Sequence, residues 1–83
     1  MSNKKISYPQ YRKYNNGKSF FKIFSPTRFD EIQIFGNKIT IHHFEAKILP
    51  DRNYIYDLTY NFKENWELCE AKEYNKILNL IGN

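Results

Sequence analysis

Turn signals recur about every 10–14 residues along this chain, and that spacing confines it to short antiparallel elements. They fall at Asn15-Asn16-Gly17, Ser25-Pro26-Thr27, Gly36-Asn37 and Pro50-Asp51-Arg52-Asn53, and more loosely across 61–65. β-Branched and aromatic runs fill the intervals. The pattern predicts an antiparallel meander of five or six strands, as an open sheet or a partly closed barrel.

The hairpin of 28–35 with 38–48 is the clearest element. A two-residue Gly36-Asn37 turn sets Ile34 opposite Ile39 and Ile32 opposite Ile41, so one face receives two isoleucine pairs. The same register carries Asp30 to His43 and Glu31 to His42. Beyond Pro50, Tyr54, Tyr56, Leu58 and Tyr60 alternate with Ile55, Asp57 and Thr59. That period of two predicts a strand over 54–60 paired with 41–49, followed by a short strand from Trp66 to Leu68.

From Glu70 the period changes. Tyr74, Ile77, Leu78 and Ile81 stand at i, i+3, i+4 and i+7, one face of a helix. Glu70 and Glu73 suit its positive end, and Gly82 suits its close. The predicted class is α+β, with this one C-terminal amphipathic helix packed on the sheet.

The opening hairpin admits two registers. One pairs Arg12 with Phe21 and Lys13 with Phe20, which scatters charge over both faces. The other places Gly17 as a left-handed bulge, pairs Tyr11 with Phe21, and collects a mostly apolar face. The second is favoured by the premise that one face is buried. Its opposite face is a ladder of rings and cations: Tyr8, Arg12, Tyr14, Lys18, Phe20, Lys22 and Phe24. These seven are the candidate binding residues, because bases stack on such rings and Arg adds cation–π attraction. The competing reading makes Phe20 and Phe24 core residues with lysine stems lying outward.

With 83 residues the chain is one domain over 1–83, with residues 1–5 as a tail and a core too thin to do without large rings. The single cysteine excludes an internal disulfide. No apolar leader or membrane-length apolar run is visible, so a cytoplasmic setting is expected. A net charge of +4 and a pI near 9.2 are compatible with nucleic acid or an acidic protein and require neither.

Chemistry is sparse. His42 and His43 are adjacent on a strand and point to opposite faces, so they cannot share an ion. His43 and Glu45 share a face with Asp30, a set that reads as an acid–histidine pair rather than a metal site. Cys69 near the helix start reads as a small buried hydrophobe rather than a nucleophile. The three glycines fit turns or a cap, leaving no phosphate-cradling loop. No catalytic residue, metal or cofactor is assigned.

The expected function is a small non-enzymatic binding protein acting through protein–protein contact. Phe, Tyr, Met, Ile, Asn and Lys make up 45 of the 83 residues. That bias suits the AT-rich genomes of phages and mobile elements, whose accessory and inhibitor proteins include anti-defence proteins. The alternative is nucleic-acid binding through the ring-and-cation ladder with Lys4, Lys5 and Lys13. A sheet edge also makes a homodimer reasonable.

Overall fold

The computed structural model describes residues 7–81. The expected tail 1–5 and the capping Gly82 lie outside them. The elements run β1 (Gln10–Tyr14), β2 (Ser19–Ser25), β3 (Arg28–Phe35), β4 (Lys38–Glu45), α1 (Leu49–Tyr60), β5 (Trp66–Leu68) and α2 (Ala71–Ile81). They form an open five-stranded antiparallel sheet in the order β4-β3-β2-β1-β5 with two helices, an α+β fold. The meander holds for β1 to β4. The sheet does not close, because β5 returns beside β1 and leaves β4 at the far edge.

The β3–β4 hairpin follows the expected register, with Ile34 on Ile39, Ile32 on Ile41, Glu31 on His42 and Asp30 on His43. Gly36 has φ +57° and Asn37 is not left-handed, the pattern of a II′ turn that suits twisted strands. Strand β4 ends at Glu45, short of the expected 48.

The first hairpin takes the other register. Arg12 pairs with Phe21, Lys13 with Phe20 and Tyr11 with Lys22. Gly17 is left-handed at φ +73°, as expected, but it closes a loop over Asn15–Lys18 instead of a bulge. Its N–H bonds Tyr14 O at 2.8 Å, and Asn16 Oδ1 accepts from Lys18 N. Asn15 is committed to the other side, donating from its backbone to Asn65 O and from Nδ2 to Glu64 O. The premise of one buried face is what fails. Both faces are covered, so Phe20 and Phe21 can be buried on opposite sides at no cost.

The segment 54–60, expected as a strand, is the second half of α1. Pro50 in the first turn lacks only an N–H that has no helical partner there. Asp51 sits in that turn, and its carboxylate accepts from Lys47 N at 3.1 Å. Ile55, Leu58 and Thr59 then fall on one buried side at i, i+3 and i+4. The alternation of 54, 56, 58 and 60 is real but does not select the structure.

Each helix covers one sheet face. Under α1, Phe21, Ile23 and Phe29 pack with Ile55, Leu58 and Trp66, and Tyr8, Ala46 and Phe62 close the margin. Under α2, Phe20 and Ile32 pack with Tyr74, flanked by Tyr11, Ile34, Ile39, Ile41, Ile77, Leu78 and Ile81. The second group carries out the expected helical face. Each fully buried Ile, Leu or Phe contributes about 1.5–3 kcal/mol, so two thin cores together support a chain of this size.

Arg12 ties the α1 side together. It is 3% exposed, and its Nε donates to Leu58 O at 2.9 Å and its Nη2 to Thr59 O at 3.0 Å. These are carbonyls of the last turn of α1, which has no basic residue of its own there. Nη1 donates to Tyr11 O at 2.8 Å and Gln10 Oε1 at 3.3 Å, and the guanidinium lies 4.2 Å over the Phe62 ring. Burial pulls its pKa below the usual value, yet a guanidinium stays charged in protein. Its counter-charge is the negative end of the helix.

On the α2 side, Lys13 Nζ bonds Glu73 Oε2 at 3.0 Å, joining β1 to the first helical turn. The bond holds the Glu73 carboxyl below its ordinary range and raises Lys13.

Two outcomes are expected in urea titrations. Arg12→Met leaves two helix carbonyls unpartnered and lowers stability by about 2–3 kcal/mol, and Arg12→Lys, lacking the planar fork, recovers only part. Lys13→Met costs only about 0.5 kcal/mol at neutral pH, because water screens the pair. The Glu73 pKa is depressed in the folded state, so its contribution is full above the ordinary carboxylate range and is lost as pH falls through the folded value. At pH 3 the cost of Lys13→Met therefore shrinks. An undiminished cost there would assign it to packing.

Candidate binding surfaces

The register divides the seven candidate residues. Arg12 is buried under α1 and Phe20 under α2, on opposite faces. Tyr14 and Lys18 are exposed at the β1–β2 end, and Tyr14 sets its ring edge against Trp66 at 6.1 Å. Lys22 and Phe24 are half-buried together. Tyr8 belongs to the margin of the α1 core. A single ladder of seven does not exist.

A smaller ring-and-cation cluster remains around Lys22. Its ammonium stands 5.8 Å from the Tyr11 ring and 5.1 Å from Phe24, while Arg28 stands 5.1 Å from Phe24 on its own account. These rings already carry cations on their faces, where a base would have to stack.

The expected acid–histidine pair forms. His43 Nδ1 and Asp30 Oδ1 are 2.7 Å apart, with Asp30 largely buried and His43 largely exposed. His42 faces the other way, its ring 6.3 Å from Phe44. Among the described residues no group of three or more His, Cys, Asp and Glu could hold a metal ion. Cys69 is half-buried beside α2, and burial together with Glu73 pushes its thiol up to about 12. A site at a helix start can lower a thiol pKa, but here the loss of hydration and the Glu73 carboxylate outweigh the lowering by Lys13.

Two surfaces escaped the sequence reading. The first is the outer side of α1. Tyr56 and Tyr60 project outward with ring centroids 4.7 Å apart, and both are about half exposed. With Tyr8, Pro26, Thr27 and Arg52 they line a groove of about 430 Å³ between the β2–β3 turn and the helix. Burial and the neighbouring Tyr60 raise the Tyr8 hydroxyl pKa. Further along, Tyr54 lies 5.7 Å from Phe29, which stacks on Phe44 at 4.8 Å. Its hydroxyl is pushed up to about 12, chiefly by burial. Once 49–60 is read as a helix, its rings fall on more than one side. Read as a strand, the same residues hid this surface.

The second surface is β4, eight residues long and unpaired on its outer side among the described residues. Its lysine and glutamate sit only at its two ends, Lys38 and Glu45, and it contains no proline. The opposite edge is shielded by being only three residues long and carrying Glu67.

Among the described residues no helix is long and apolar enough to cross a membrane. Iodoacetamide is expected to alkylate Cys69 in the folded protein at pH 8 roughly 100-fold or more slowly than in urea, because so little thiolate is present. Equal rates would refute the high thiol pKa. Comparison of the chain with known protein families, with curated proteins and with solved structures finds no match.

Proposed function

We propose that this chain is a small non-enzymatic protein-binding module that presses the outer side of α1 onto a folded protein partner. The observation that carries this reading is the set of α1 tyrosines. Ile55 and Leu58 already anchor the helix to the sheet, yet Tyr56 and Tyr60 stay 56% and 49% exposed beside a groove with Arg52 at its rim. Tyrosine offers a broad apolar body and a hydroxyl at low entropic cost, and tyrosine and arginine dominate the energetics of protein interfaces. A compact binder of this kind suits an accessory or inhibitor role such as phages and mobile elements encode, and the residue bias agrees with such a source. Nucleic-acid binding is the second reading, favoured by the charge of +4 and by Lys18 and Lys22. It is weakened by the division of the ladder over two faces and by the occupied rings.

Two measurements separate the readings. Tyr56→Ser/Tyr60→Ser is expected to melt within about 0.5 kcal/mol of the parent, as surface changes do, and to lose a partner that the parent retains from cells of its source. Labelled single-stranded and duplex nucleic acid are expected not to bind at low salt. Binding that falls steeply with salt and on Lys18→Glu/Lys22→Glu would establish the second reading instead.

A further inference from the structure

Strand β4 holds a second, independent surface. In its hairpin with β3, Phe35 and Lys38 flank a two-residue turn and so exchange backbone hydrogen bonds, and bonded pairs alternate from there. The bond from Ala46 N to Thr27 O continues this series at the far end. The even-numbered residues of β4 therefore turn their N–H and C=O groups to β3. Those of Ile39, Ile41 and His43 point outward, where no strand lies among the described residues.

We propose that β4 pairs antiparallel with β4 of a second copy of this chain about a two-fold axis at Ile41, making one continuous ten-stranded sheet from two five-stranded ones. The two-fold stands perpendicular to the sheet, so residues directly opposite must share a face. Ile41 then exchanges both hydrogen bonds with Ile41 of the second copy, and Ile39 does so with its His43. On the α2 side, Ile32 and Ile41 continue into the same pair of the second copy and join the margins of two cores.

The α1 side favours the same register. Lys38 faces Phe44 of the second copy, and its neighbour on β3 is Phe35. Phe35 is 75% exposed and Phe44 43%, and this pairing lays one ammonium between the two rings. The basic Lys38 end of each strand also meets the acidic Glu45 end of the other. A shift placing His42 on the axis instead sets His42 against itself and Glu45 against Ile39. The axis keeps both α1 helices on one side of the sheet, so the dimer presents two tyrosine surfaces in the same direction. This pairing does not depend on what α1 binds.

Light scattering on a sizing column reads the mass directly. Twice the 10.1 kDa chain mass is expected, and a monomer up to the highest soluble concentration would overturn the proposal. Ile41→Lys is expected to give a monomer with an unchanged circular dichroism spectrum. Should that variant not fold, cysteine cross-linking in a Cys69→Ser background decides. Opposed residues in such a pair have Cα atoms about 5.5 Å apart, within disulfide reach, so Ile41→Cys should oxidise to a covalent dimer. Tyr60→Cys on α1 should not. Faster closure by His42→Cys or Tyr60→Cys would overturn the register.

Discussion

The hydrogen bonds from Arg12 to the last turn of α1 are the constraint on which most of this architecture depends. They couple β1, in the interior of the sheet, to a helix that follows β4 at its edge. The helix must return across the whole sheet before β5 can join the other side of β1. A buried guanidinium with no carboxylate beside it would be costly. Here its fork meets two carbonyls that a helix end leaves unsatisfied, and the negative end of the dipole supplies the opposing charge. Phe62 then covers the flat face of the group, so the last turn, the loop and β5 follow in a fixed path.

That arrangement also explains how 83 residues support two cores. A single sheet face covered by one helix would expose half the large side chains of β2 and β3. Helices on both sides let consecutive residues such as Phe20 and Phe21 both be buried. The aromatic residues are thereby used up in structure more than their number suggests. Trp66 and Tyr74 are buried so completely that the indole Nε1 and the phenol oxygen find no hydrogen-bond partner among the described residues.

What remains for function lies where the cores stop. Tyr56 and Tyr60 of α1 extend past the stripe needed for packing, and β4 ends the sheet without the short length or central charge that shields β5. Both features are surfaces left exposed once the two cores are packed. His43 and Asp30 form a cross-strand bond at the rim of the second core.

The sequence by itself determined what local chemistry decides. The II′ hairpin at Gly36-Asn37 is specified by its turn and by matched isoleucines. The α2 face is specified by its period, and the His43–Asp30 pair follows from register. Local signals did not reach two other elements. In 54–60 a period of two and a helical face coexist, and the first-turn pair Pro50-Asp51 serves a loop or a helix start equally well. In the first hairpin both registers satisfy the turn. Tertiary structure decided both, and for one reason. Only the presence of a helix over each face makes it favourable to bury Arg12 on one side and Phe20 on the other. A side chain's value in those positions depends on what covers it, and the cover comes from residues some 40 to 60 positions away.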